Sequence, residues 1–245
     1  MKRIILSMIL ISATSLVAQI PSGEAILEKV DQNMTARTRV VTSKMIIHGR
    51  RGSRTIKSKS WTEGEENAFT EYLAPPREKG TKMLKLGKKL WIYSPSADRT
   101  IQIAGHMLHQ SLMGSDLSYE DMMEDPKLTH HYNATVIGTD TVDERPCWVL
   151  QLVAKTEGVA YHSRKMWIDQ KRLIPLKEEL FAKSGKLLKK MELKNIAKIQ
   201  GRWYAKRIFF KDMLKKGGGT EFLIENIQFN IDIPKYIFSK AALRR

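Results

Sequence analysis

Six histidines, one cysteine and a run of carboxylates are the side chains in this sequence that could do chemistry. His48, His106, His109, His130, His131 and His162 could move protons or bind a metal, but none stands in an HExxH pattern or pairs with cysteine as in a zinc site. His106 and His109 could sit one helical turn apart on a shared metal, although no third ligand accompanies them. Asp116, Glu120, Asp121, Glu124 and Asp125 lack the alternating loop spacing of a calcium site and are read as helix caps and partners of the many Lys and Arg. There is no GxSxG nucleophile elbow and no phosphate-binding P-loop. The sequence is therefore read as a non-enzyme with no catalytic residue, metal or cofactor.

The remaining chemistry is apolar binding. From Gly105 to Glu124 helical spacing groups Met107, Leu108, Leu112 and Met113, then, past Gly114, Leu117, Tyr119, Met122 and Met123, with Ser115 or Asp116 as the expected cap of a second helix. Methionine is flexible and polarizable, so such a segment could line an adaptable pocket, or simply fill a core. Trp91 and Tyr93 share one strand face, and Met45, Trp61, Phe69, Trp148, Trp167 and Phe209 are further candidates to line a cavity. Leu112, Met113, Tyr119 and Met122 would form its lid. Each residue alone could equally be core, because strand parity does not say which face of a sheet is concave.

One helix and many strands must position these groups. Ile26, Val30 and Met34, with Leu27 beside them, make one apolar helix face in GEAILEKVDQNM, with Ser22 as N-cap. Strands are predicted over Val40–His48, Arg54–Trp61, Asn67–Tyr72, Lys82–Leu86 and Lys89–Tyr93. In the second half they cover His131–Asp140, Cys147–Lys155, Lys165–Asp169, Pro175–Phe181, Leu187–Lys198, Trp203–Lys211 and Glu221–Phe229. Turn chemistry separates them at 143–146, 169–172, 183–186, 200–202 and 217–219. Lys57 and Lys59 mark Arg54–Trp61 as a solvated strand placed near an edge. Others, such as Leu90–Tyr93 and Trp148–Val153, are apolar on both faces and need cover on both sides. Two short helical segments are few covers for so many strands, which invites a partly open apolar cavity.

Lys2 and Arg3, the apolar Ile4–Ile11 and the small-residue run Ser12–Ala18 have the layout of a secretory signal peptide over residues 1–18, cleaved after Ala18 with Ser15 as the alternative. Residues 19–245 are read as one domain. Cys147 is the single cysteine, so the chain forms no internal disulfide and a packed core must hold it. The net charge of +16 falls to +14 when Lys2 and Arg3 leave, which suits an anionic partner or simple solubility. Export excludes nucleic acid and leaves lipid headgroups, transient contact with a membrane surface, or an acidic protein. Lysine-rich edge strands would favour a monomer.

Two stretches carry a resemblance. PPREKGTKMLKLGKKLWIYSPSADRTIQI (Pro75–Ile103), with its WxYxP, and SLMGSDLSYEDM (Ser111–Met122), with its GSDxSYED, resemble the LolA-like family of outer membrane lipoprotein-sorting proteins. The terminal FNIDIPKYIFSKAALRR (Phe229–Arg245) resembles the way such chains end, and Leu112 and Leu117 depart from the family by standing where Phe is common. The resemblance implies a mainly β fold: a curved, incompletely closed antiparallel β-barrel with helices over its concave face and an apolar cavity between. It also implies a periplasmic carrier or chaperone that binds the acyl chains of a lipid or lipoprotein for transfer toward the outer membrane, with an inner-membrane transporter or exporter as a further partner. The competing expectation is a periplasmic lipid-binding sensor or exporter subunit with no transfer role of its own.

Overall fold

The computed structural model describes residues 20–245; the expected signal peptide lies outside the described residues. Helix α1 (Gly23–Met34) is the first element of the described residues, and Ser22 caps it, its Oγ accepting the Ala25 N–H at 3.2 Å. Thirteen strands follow. β1 (Thr38–Gly49), β2 (Gly52–Glu63), β3 (Asn67–Ala74), β4 (Lys82–Leu86), β5 (Lys89–Ser94) and β6 (Arg99–Ile103) form the first meander. β7 (Tyr132–Val142), β8 (Arg145–Ala154), β9 (Ser163–Asp169), β10 (Pro175–Phe181), β11 (Leu187–Ile199), β12 (Arg202–Asp212) and β13 (Gly219–Phe229) form the second.

All thirteen belong to one antiparallel sheet in the order β6-β5-β4-β3-β2-β1-β13-β12-β11-β10-β9-β8-β7. The meanders join where β1 pairs with β13, so β6 and β7 are left as the two edges and the sheet does not close. Register slips between Thr42 and Ser43, Lys57 and Ser58, and Val136 and Gly138 add local bends and twist. Tight hairpins need unusual backbone at their tips: Asp143 and Glu144, between β7 and β8, both have positive φ, the geometry that matches strand twist.

Three expectations need correction. β6 was not foreseen, because Arg99 and Gln102 leave its five residues too short and polar to stand out. β2 is interior, between β1 and β3; its lysines mark a solvated face, where Lys57 pairs with Glu225 at 3.0 Å and Lys59 lies over the Trp61 ring at 5.0 Å. The true edges, RTIQI and YNATVIGTDTV, carry no lysine.

The central stretch differs most. Instead of two helices it holds 3-10 turns at Gly105–His109 and Leu112–Gly114 and one short helix, α2 (Tyr119–Met123). Met113 and Gly114 both have positive φ, which breaks the helical path. Ser118, not Ser115 or Asp116, caps α2, in a reciprocal box with Asp121.

Alternation divides the side chains between two faces. α1 packs through Ile26, Leu27 and Val30 on Leu150, Leu152, Met166 and Ile168 of β8 and β9. The central stretch packs on Met83, Leu90 and Ile103 of β4–β6 and also reaches Phe210 and Phe222 of β12 and β13. In a flat sheet β6 and β12 would stand seven strand spacings, roughly 34 Å, apart. One short segment can touch both only if the sheet curls around it, so this face is concave. The opposite face of β3–β5 is covered by the turns Lys235–Phe238 and Lys240–Arg244, through Ile237, Phe238, Ala242 and Leu243.

Candidate ligand-binding site on the concave face

The floor of the concave face is built from alternate residues: Met45 and Ile47 on β1, Ile56 on β2, Tyr72 on β3, Met83 on β4, Leu90 and Ile92 on β5. Phe210 and Phe222 close it toward the second meander, their rings edge to face at 5.7 Å. Above lies the central stretch, presenting Met107, Leu112, Met113, Leu117, Tyr119, Met122 and Met123. This roof has only one turn of regular helix, so its fit to the floor rests on apolar side-chain contact with four adaptable methionines.

Polar bonds at its margins hold the roof in place. Asp116, which is buried, accepts the Thr220 hydroxyl at 2.8 Å and the Asp212 N–H at 3.0 Å, while its own N–H donates to Thr220 at 2.9 Å. Lys215 Nζ donates to the Ser115 carbonyl at 2.8 Å, and Arg54 donates to the carbonyl of Met113. On the first meander Lys85 reaches the carbonyls of Met123 and Glu124 at 3.3 and 3.4 Å. On the second, Tyr161 donates to Asp121 at 2.5 Å and Arg164 to Glu124 at 2.5 Å, while Lys189 pairs with Asp121.

Burial tunes these groups. It acts to raise the Asp121 carboxyl, but the charge and hydrogen bond of Lys189, the Tyr161 hydroxyl and the Ser118 N–H outweigh it and hold the carboxyl below its ordinary value. Glu178 lies deeper, 3.7 Å from Arg164 and without a good hydrogen bond at Oε2. Burial therefore pushes it up to about 7 against the pull of Arg164. Arg164 also stacks over Tyr132 and Tyr161, at 5.0 and 5.4 Å. At the side of the roof opens a cleft of about 540 Å³, with Leu108, Met123, Leu128 and Val159 in its wall and Lys85, Glu124, Asp125 and Arg164 at its rim. A hollow of about 660 Å³ runs along the edge strand β7, lined by Ile20–Gly23 and by Ala134, Thr135, Val136, Gly138 and Thr139.

The twelve residues put forward as cavity lining do not converge on one space. Met45, Leu112, Met113, Tyr119 and Met122 meet on the concave face. Trp61, Phe69, Trp91 and Tyr93 group on the other face beneath the C-terminal turns, where Lys240 lies 4.4 Å over the Trp91 ring. Trp148 packs against the α1 cluster. Trp167 packs with Cys147 and Val149 and donates its indole N–H to Asp140 at 2.8 Å. Phe209 points away from Phe210 and sits over Gly219, where a Cβ would fall 2.4 Å from its ring. Burial pushes the Cys147 thiol up to about 11, so it rests as a protonated core group.

Arg164, Glu178, Lys189 and Thr220 were not singled out from the sequence. The available signal was a charge inside a strand that is otherwise buried, as in SRKMWID. His106 and His109 lie in one turn, with His109 bonded to Glu120 at 3.0 Å. A separate group, Glu65, Asp125 and His130, has its ligand atoms within 4.8 Å of one another. The Lys127 ammonium pairs with Glu65 there, supplying the positive charge a metal would bring.

A family model described as "Uncharacterized protein" matches residues 64–245. No curated protein matches the chain. Among solved structures, a DUF1329 family protein from Desulfovibrio piger superposes with a TM-score of 0.83 at 22% identity, covering 90% of this chain and 97% of that one. A putative outer membrane lipoprotein-sorting protein domain from Vibrio parahaemolyticus gives 0.80 at 20% identity, covering 91% and 98%. A LolA superfamily protein from Nitrosomonas europaea gives 0.75 at 24% identity, covering 91% and 100%. The curved, open sheet with its few helices is thus a LolA-like fold.

Proposed function

The chain belongs to the family whose model spans residues 64–245, built on the LolA-like fold, and from that premise we propose that it is a non-catalytic periplasmic carrier of acyl chains. The carrying observation is the methionine-rich roof, packed on an apolar concave floor by side-chain contact and pinned at its margins by polar bonds. An acyl chain would enter by the cleft beside Leu108 and Met123 and take over the floor as the roof lifts. Each methylene so buried contributes about 0.8 kcal/mol, while the roof's own apolar contacts, restored on release, keep the exchange near balance. A lipid or lipoprotein is the cargo of this reading, and the outer membrane its destination.

The competing reading, a lipid-binding sensor or exporter subunit, shares the same cavity and differs only in lacking transfer. Titration with a fluorescent fatty acid tests what both require: saturable uptake that is lost when Leu90 or Met83 of the floor becomes Asp supports the cavity. Absence of uptake refutes it. Loss of donor-to-acceptor transfer of bound lipid between vesicles, with uptake intact, would favour the sensor.

A further inference from the structure

We propose that the adjoining tips of the β1–β2, β12–β13 and β10–β11 hairpins form a docking surface for an anionic lipid bilayer. The tips lie side by side: Gly218 N–H donates to the His48 carbonyl at 2.8 Å, and Met213 N–H to the Leu188 carbonyl at 2.8 Å. The middle tip presents Met213 and Leu214, 43% and 59% exposed, where turn chemistry ordinarily places polar residues. They are held there by a formed turn, in which the Asp212 carboxylate accepts the Leu214 N–H at 2.9 Å and its carbonyl the Lys215 N–H at 3.2 Å.

Around these two apolar side chains stand Arg50 and Arg51 on one flanking tip, Lys183 and Lys186 on the other, and Lys216 on the same tip. All five are exposed, and none forms an ion pair among the described residues. Lys215 is different, committed to Asp212 and to the Ser111 and Ser115 oxygens. The one acid among these tips, Asp212, is thereby neutralised, whereas the β2–β3 turn at the far end of β2 carries Glu63, Glu65 and Glu66. Unpaired positive charge thus surrounds the two apolar side chains that protrude. An anionic bilayer supplies both complements: headgroup charge for the cations and an acyl boundary for Met213 and Leu214.

Asp212 and Lys215 of the middle tip also bond the roof, but Met213, Leu214 and the five cations do not, so variants confined to those residues let the two readings fail separately. The test is co-sedimentation of the purified protein with vesicles of phosphatidylcholine alone or mixed with phosphatidylglycerol. Any contribution of residues 1–19 is common to all variants. Binding is expected only to the mixed vesicles, weakened roughly thirtyfold by R50S/R51S and about tenfold by M213S/L214S. Removing the same charge elsewhere, with K29S/K206S, is expected to change it far less. Leu214→Trp should show a blue shift in emission on binding. Equal binding to both vesicle types, no binding, or equal loss with K29S/K206S would overturn the proposal. Fatty-acid uptake should be unchanged in every tip variant, which separates this result from failure of the cavity.

Discussion

Asp116 offers the sharpest handle on the roof. Substituting Ala removes the acceptor for the Thr220 hydroxyl and the Asp212 N–H, and Thr220 is fully buried, so water does not readily replace it. Each stranded donor costs about 1–3 kcal/mol, giving about 3 kcal/mol as a working figure for the pair. If that loss falls on the closed roof alone, the closed-to-open ratio drops by roughly two orders of magnitude. A ligand that competes with the roof for the floor should then bind more tightly by up to that factor. Asp116→Asn keeps one acceptor and should show a smaller gain. The assay is a fluorescent fatty-acid titration run beside urea denaturation. If D116A lowers the unfolding midpoint yet leaves the apparent Kd unchanged or weaker, the roof does not compete with ligand and the reasoning fails.

Other perturbations probe the parts that hold this arrangement. The folded Glu178 carboxyl keeps its proton up to about 7, whereas its ordinary value is 4.5, so the folded state binds more protons in that window and stability should fall as pH rises through it. The decline would reach about 3 kcal/mol, and Glu178→Gln should flatten it in denaturation curves across pH; parallel curves for the two proteins would contradict the assignment. Asp121 has the opposite sign: its stabilisation is present above its ordinary 3.8 and lost as pH falls below, so D121N should narrow the acid-side loss. Gly219→Ala places a Cβ 2.4 Å from the Phe209 ring at a φ of +95, and about 1–3 kcal/mol of destabilisation by thermal melting is expected. Ser118→Ala removes the reciprocal cap of α2 and should cost about 1 kcal/mol, with faster amide exchange confined to residues 119–123.

Much of the sheet was legible because half-buried strands write their period into the sequence. β4 and β10 were read with their observed ends, and the α1 cap from Ser22, since local rules and tertiary packing agree there. The central stretch was misread for a definite reason. Met107, Leu108, Leu112 and Met113 have helical spacing, but they follow an irregular path across a floor that curves beneath them, and side chains such as Asp116 bond to distant strands instead of capping a helix. The candidate cavity was partly legible. Trp91 and Tyr93 do share a face, yet Leu90 and Ile92 on the same strand face the roof, and parity alone holds no information on which side curls inward. Charges such as Arg164 and Glu178 are interpretable only once β9 and β10 stand beside Glu124, forty residues from Arg164 in the chain.

The central claim is that the concave face holds acyl chains beneath a roof that gives way. Native mass spectrometry with lipid extraction, on protein purified without denaturation from the cell that makes it, tests this most directly. The account predicts a near-stoichiometric adduct of lipid or acylated peptide, displaced by added fatty acid and lost when Leu90 becomes Asp. Protein that is free of adduct and also takes up no fatty acid would contradict it.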